Sequence, residues 1–402
     1  MSDYLKGLAI QQINTIDSDT RLVVIHPNYL QPHTLLNCFL GEEGVIYLRL
    51  ETQVTTVDAL FESLHAEIQH QTAQDQLPDN ATVILDETDR PQPELLDEFL
   101  RQLLDRLPQG RVIVIGRDIP ICALKDEVIQ STACFVPVDP ETMLWDYTEV
   151  DDNHLLEVRA FGTGHVLVNG RRINSWDGLL PRSLFFYLVD RGMATRNDIF
   201  ATFWPKLTTR EATNVFHVTK RKINEVLGID LTTYWSGYYR ISPQINLSYD
   251  AVLFNELAQN SEIAEADQIE EMLLKAMALY RGPFLAATDM QWVKRRRSEL
   301  ILSYSDVLSQ MAAVTEENGD LAQALSLYLR ATSMNRRRED TIEHIMRLYN
   351  ALDMPEEALE TYEQLEQELR SSFKMTPNMK LREFAASIRS DIGLSKVEQK
   401  AI

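Results

Sequence analysis

Short apolar runs alternate with amphipathic segments over residues 20–140. "RLVVI", "GVIYLRL", "ATVILD", "RVIVIG" and "ACFVPV" are rich in β-branched residues, and stretches such as "PELLDEFLRQLLDRL" carry their apolar positions at helical spacing. Strands interleaved with helices predict an α/β domain with a mainly parallel sheet covered on both faces. The polar stretch "VDPETMLWDYTEVDDNH" ends this pattern and reads as a connection, its acidic run a solvated linker rather than a metal site.

Residues 155–250 follow another rhythm. "HLLEVRAFGTGHVLVNGRRI" carries two short strands around turn glycines; "LPRSLFFYLVDRG" is a helix closed by Gly192, and "TRNDIFATFWP" one stopped by Pro205. A third helix, "TTREATNVFHVTKRKINEVLG", opens on the capping-box pattern Thr208-Thr209-Arg210-Glu211 and ends at Gly228. "TTYWSGYYRIS" then reads as a hairpin, and strands, three helices and a hairpin together predict a winged helix-turn-helix.

From about residue 251 the pattern is helical and repeats. Ala324, Leu325 and Tyr328 recur 34 residues later as Ala358, Leu359 and Tyr362, and Leu308 and Met311 recur as Ile342 and Ile345. That period, with small and aromatic residues at these offsets, is the tetratricopeptide signature of helix pairs that bury their apolar faces on their neighbours. The expected domains are therefore 1–145, 150–250 and 251–392, with a tail at 393–402.

Charge separates these parts. Residues 1–150 hold 9 Lys+Arg against 25 Asp+Glu, a net of −16; residues 151–250 hold 12 against 10, a net of +2; the remainder holds 18 against 25, a net of −7. A module that approaches phosphates between acidic neighbours has this distribution. With 45% hydrophobic and 25% charged residues the chain has the composition of a soluble globular protein. No window approaches the ~20 apolar residues of a membrane span, and the start lacks a basic segment before an apolar run, so the expected location is cytoplasmic, with no membrane partner. Cys38, Cys122 and Cys134 lie far apart without CxxC spacing, which argues against a disulfide framework and a zinc cluster and predicts buried thiols.

Projected at 100° per residue, the third helix of the middle module puts Phe216, Ile223, Val226 and Leu227 on one stripe. Arg210, Asn214, His217, Arg221 and, at the margin, Lys222 fall opposite. This face has the donors to lie in a major groove, where arginine reaches guanine and asparagine adenine. Lys220 projects close to the apolar stripe and is expected to snorkel to its rim. A solvated polar face is the plainer alternative, and Glu225, which would repel phosphate, favours it. The hairpin tips the balance: Tyr234, Trp235, Tyr238, Tyr239 and Arg240 crowd a ribbon where a wing would meet the duplex, Tyr239 pointing inward by period-2 alternation and Trp235 and Arg240 left for contact.

The motifs of residues 155–390 resemble the bacterial transcriptional activator family of the Streptomyces antibiotic regulatory protein type. "ATNVFHVTKRKINEVLG" resembles its recognition helix, with Ala212, Asn214, Val218, Leu227 and Gly228 at the matching places. "SGYYRI" resembles its wing ending, "LYRGPFL" followed by "W" and "RRRSEL" the opening of its helical domain, and "MTPNMKLREF" its close. Departures are Trp235, where a wing-tip arginine is frequent, and Lys220, where an aliphatic residue is. The resemblance implies a bacterial DNA-binding regulator, an activator, with double-stranded DNA as partner and RNA polymerase or another regulator engaged through the helical repeats; a homodimer is compatible with it.

The N-terminal domain resembles signal-transduction ATPases with numerous domains. "ATVILDETD" has the form of a Walker B strand, with Asp86 in the magnesium position and Glu87 in the water-activating one, and "VIVIGRD" resembles the following sensor strand. Where a phosphate loop would stand, in "RLVVIHPNYLQPHTLLNCFL", Pro27 and Pro32 replace the glycines and His33 the lysine before Thr34. Such a loop needs converging backbone N–H groups and a lysine charge; proline has no N–H and histidine is largely neutral at pH 7. The loop reads as a relic: no nucleotide cofactor, no metal and no catalysis, in a pseudo-ATPase that binds protein or an uncharged or cationic ligand. A phosphoacceptor receiver is disfavoured, because "HPNYL" after the first strand lacks the acidic pair and "DPETM" after the last lacks the lysine, leaving Asp86 alone. A nucleotide-hydrolysing switch driven by Asp86 and Glu87, and a tetratricopeptide-type protein adaptor, are the competing functions.

Overall fold

The computed structural model of the 402-residue chain describes residues 3–25, 44–52, 54–72, 76–136, 154–335 and 338–400. Helix α1 (Asp3–Asn14) precedes strands β1 (Leu22–Ile25), β2 (Val45–Arg49), β3 (Thr82–Asp86), β4 (Arg111–Ile115) and β5 (Ala133–Val136), interleaved with α2 (Val57–Thr72), α3 (Pro93–Arg106), α4 (Ile121–Lys125) and α5 (Glu127–Gln130). The five strands pair in parallel in the order β2-β3-β4-β1-β5, the parallel α/β sheet expected. Consecutive residues Val83, Ile84 and Leu85 are all buried, because a parallel strand is covered on both sides. Helix α3 buries Leu96, Phe99, Leu100, Leu103 and Leu104, an apolar stripe at helical spacing, and Pro93 at its start supplies a pre-set φ where no N–H is needed. Cys122 is buried, Cys134 only half-buried because it lies on edge strand β5, and Cys38 and the expected boundary near residues 145–150 lie outside the described residues.

The middle module contains β6 (His154–Arg159), β7 (His165–Val168), β8 (Arg171–Arg172), α6 (Leu179–Arg191), β9 (Met193–Thr195), α7 (Arg196–Phe203), α8 (Thr209–Leu227), β10 (Thr232–Trp235), β11 (Tyr238–Ile241) and β12 (Ile245–Tyr249). A four-stranded sheet runs β12-β6-β7-β8 and a three-stranded one β10-β11-β9. The hairpin β10–β11 is thus anchored on β9, ahead of α7, and β12 returns to pair in parallel with β6. Local chemistry sets the helix ends: Thr195 with Asp198 and Thr208 with Glu211 form capping boxes, and Gly228 adopts the left-handed conformation that closes α8. Phe185 and Phe186 of α6 and Phe216 of α8 are fully buried, and Tyr239 of the hairpin packs on Phe216 with ring centroids 4.7 Å apart. This is a winged helix.

Two features bind the first 253 residues into one compact unit with Leu285–Thr288. The buried carboxylate of Asp250 accepts from the backbone N–H groups of Ala160 (2.8 Å) and Phe161 (3.1 Å), and the N–H of Leu285 and of Ala286 donate to the carbonyls of Ala160 and Gly162 at 2.8 and 2.7 Å. At the other end of the module, the N–H of Ile119, after β4, donates to the carbonyl of Gly170 (3.0 Å), and the N–H of Arg172 donates to Asp118 (2.9 Å). Gly170 has φ +75°, and a Cβ there would lie 2.7 Å from that of Ile119, so only glycine permits this approach.

The second unit comprises Phe254–Phe284 and Asp289–Ile402. Helix α9 (Asp250–Ser261) leads into α10 (Ala266–Leu279), α11 (Gln291–Glu317), α12 (Leu321–Met334), α13 (Glu339–Ala351), α14 (Pro355–Phe373) and α15 (Met379–Lys400). Successive helices from α11 to α15 pack on one another. The 34-residue offset takes α11 onto α13 and α12 onto α14: Leu308, Met311, Ala324, Leu325, Tyr328, Ile342, Ile345, Ala358 and Tyr362 are buried, and Leu359 is half-buried. No helix among the described residues is long and apolar enough to cross a membrane.

Candidate nucleic-acid interface

Helix α8 presents the two sides that its sequence dictates. Ala212, Phe216, Thr219, Ile223 and Leu227 are buried and Val226 half-buried, while Arg210, Asn214, His217, Arg221 and Glu225 are exposed. The guanidinium of Arg221 lies 3.4 Å from Glu225, both side chains well exposed, so the pair is weak and Arg221 can exchange it for another acceptor. Lys222 is less free: its ammonium meets Asp177, in the segment before α6, at 2.6 Å.

Lys220 does more than reach the rim of the apolar stripe. Its Nζ donates to the backbone carbonyl of Thr232 at 3.0 Å and sits 5.6 Å from the centre of the Tyr239 ring, fastening α8 to the wing. Burial holds this ammonium below the ordinary lysine pKa. Across the wing turn, where Ser236 and Gly237 both take positive φ, the Arg240 guanidinium lies 5.3 Å from the Trp235 ring centre. Tyr234, Trp235, Tyr238 and Arg240 are exposed and Tyr239 is buried, so one hairpin carries a buried anchor and an aromatic–cationic outer side. Two groups of donors, on α8 and on the wing, are therefore held at fixed geometry by Lys220 and the Phe216–Tyr239 contact.

Of the second group of sequence-derived residues, Asp86 ends β3 and Glu87 follows it, at the carboxyl end of a parallel strand, where open α/β sheets place ligands. Pro27, Pro32, His33 and Thr34 lie outside the described residues. Asp86 and Glu87 are both engaged. The Tyr47 hydroxyl donates to Asp86 at 2.6 Å, and burial together with this carboxylate pushes the phenol up to about 12. Glu87, at a positive φ of 57°, accepts two bonds of 2.8 Å from Arg49 and meets Arg90 at 2.5 Å. The hydrogen bond from Arg49 holds its carboxyl below the usual range. Tyr47 and Arg49 alternate on β2, whose register sets Arg49 opposite Asp86. Neither was singled out from the sequence, although the alternation in "VIYLR" beside a Walker B-like strand is a signal that could have found them. No group of three or more His, Cys, Asp and Glu placed to hold a metal occurs among the described residues.

Residues 249–389 match the family model described as the bacterial transcriptional activator domain. No curated protein matches the chain. Among solved structures, EmbR of Mycobacterium tuberculosis, in complex with a low-affinity phosphopeptide, aligns over 60% of this chain and 66% of its own at 16% identity and a TM-score of 0.49. A signal transduction ATPase with numerous domains and a tetratricopeptide repeat sensor, from Pyrococcus horikoshii, aligns over 96% and 66% at 10% identity and 0.21. A DNA polymerase III gamma subunit-related protein of Thermotoga maritima aligns over 96% and 98% at 12% identity and 0.22. The chain spans 66% of the length of each of the first two.

Proposed function

Since residues 249–389 are a bacterial transcriptional activator domain, we propose that the chain is a sequence-specific, double-stranded DNA-binding transcriptional regulator of the activating kind. The observation that carries this reading is the exposed row Arg210, Asn214, His217 and Arg221 on α8, with Trp235 and Arg240 on the wing beside it. Arginine and asparagine read base edges; Lys222 and the wing meet backbone and minor groove. The division of labour follows the expected domains: 150–250 holds DNA, 251–392 engages RNA polymerase or another regulator, and 1–145 regulates without catalysis.

Support for a non-catalytic N-terminal domain comes from its acids as well as its altered loop. A magnesium-binding aspartate and a water-activating glutamate must be open to their ligands, whereas Asp86 accepts from Tyr47 and Glu87 is clamped between Arg49 and Arg90. Calorimetric titration of the full chain with magnesium-nucleotide at millimolar concentration should give no saturable heat; heat abolished by Asp86→Ala would restore the ATPase reading.

Selection of duplexes from a random pool, followed by binding at two salt concentrations, tests the main reading. Arg221→Ala should lower affinity for the selected duplex by about 1–3 kcal/mol and relax preference at one position, whereas Lys222→Ala should weaken binding across sequences. A chain that enriches no duplex would remove DNA binding from the reading.

A further inference from the structure

Val218 interrupts the polarity of the outer side of α8. It stands one turn from Asn214 on one side and from Arg221 and Lys222 on the other, yet its side chain is 48% exposed. An exposed valine inside a helix gains little from packing and has a lower helix propensity than the lysine, arginine or glutamate that solvated positions favour. Leu179, at the first position of α6, is 82% exposed. Both residues line one depression of about 470 Å³, with Leu180 and Pro181 in its wall and Asn214 and Lys222 on its rim. An apolar hollow is thus continuous with the row of donors assigned to base reading.

In the major groove the distinctive apolar group is the 5-methyl of thymine, and aliphatic side chains recognise it by contact. With Asn214 and Arg221 at base edges, the helix carries Val218 to a neighbouring base at the same depth. A protein lodged in the hollow would instead compete with the duplex for Asn214 and Lys222. We propose that Val218, backed by Leu179, recognises the methyl group of a thymine adjoining the bases met by Asn214 and Arg221; this rests on the DNA-binding reading above. Specificity would then combine donors that choose purines with an apolar contact that chooses thymine over cytosine, which carries no methyl group in unmodified DNA.

The test uses the full chain and duplexes selected from a random pool, with each thymine of the enriched motif replaced in turn by deoxyuridine, which removes only the methyl group. At one position the replacement should weaken binding by about threefold to fivefold, the effect of burying one methyl-sized group. Val218→Ala should bind the thymine and deoxyuridine duplexes equally; the site is exposed and alanine favours helix, so folding is not at risk. If no methyl group matters, or if Val218→Ala discriminates as the natural chain does, the thymine reading is wrong while DNA binding stands. If the chain selects no duplex, both readings fall.

Discussion

Asp250 is fully buried, with the Arg159 guanidinium attracting it and the amides of Ala160 and Phe161 as donors. Burial outweighs these and pushes its carboxyl up to about 6. A carboxyl whose pKa is higher in the native than in the unfolded chain binds protons more readily when folded, so its contribution is full below about pH 4 and is lost as pH rises through about 6. Acidification from pH 7 to pH 5 should therefore stabilise the winged helix by about 1 kcal/mol through this group. Carboxylates held low by arginines, Glu87 and Asp126 among them, act in the opposite sense. The contribution is isolated by comparing unfolding midpoints of the natural chain and Asp250→Asn across that range: the natural chain should lose stability relative to the uncharged variant as pH rises through about 6, and parallel curves would show that Asp250 does not titrate there.

Among the elements, those built on local chemistry were legible. Thr208 with Glu211 and the glycine at 228 bounded α8, and the projection of its faces separated Arg210, Asn214, His217 and Arg221 from Phe216 and Ile223. Contacts between segments distant in sequence were not. Tyr47 with Asp86, Lys222 with Asp177 and Lys220 with Thr232 depend on which strands and helices become neighbours, and the parallel pairing of β12 with β6 joins residues about 90 apart. Val218 projects among the polar residues of α8, but the hollow it shares with Leu179 depends on α6 packing beside α8 and was not legible. Gly170 belongs to the same class, since its turn was visible but its neighbour Ile119 was not. Gly170→Val places a branched side chain at positive φ against Ile119 and should destabilise the first unit by roughly 2–4 kcal/mol. Hydrogen exchange should quicken at the amides of Ile119 and Arg172, which donate across that contact; unchanged protection would mean the two segments are held by other means.

For the molecule as a whole, the uneven charge makes a prediction about the proposed binding to DNA. Residues 1–150 carry a net −16, and phosphate charge dominates non-specific affinity. Repulsion from this domain reaches about one Debye length, ~10 Å at 0.1 M salt. A chain beginning at Asp151 should bind random-sequence DNA more tightly than the full chain at low salt, and the difference should shrink as salt rises. Equal affinities at low salt would assign the acidic domain another purpose.

The bonds from Leu285 and Ala286 to Ala160 and Gly162 also impose a timetable on synthesis. Leu285 follows Ala160 by 125 positions, so at about 5–20 residues per second the ribosome supplies it roughly 6–25 s later. Throughout that interval the nascent winged helix lacks part of its own frame. For the earlier part it also lacks β12, which leaves an edge of β6 open. The module is a late finisher: a ribosome stalled before residue 285 holds a helix α8 whose supporting frame is incomplete, and the bonds that complete it form only once α9 and α10 have been made.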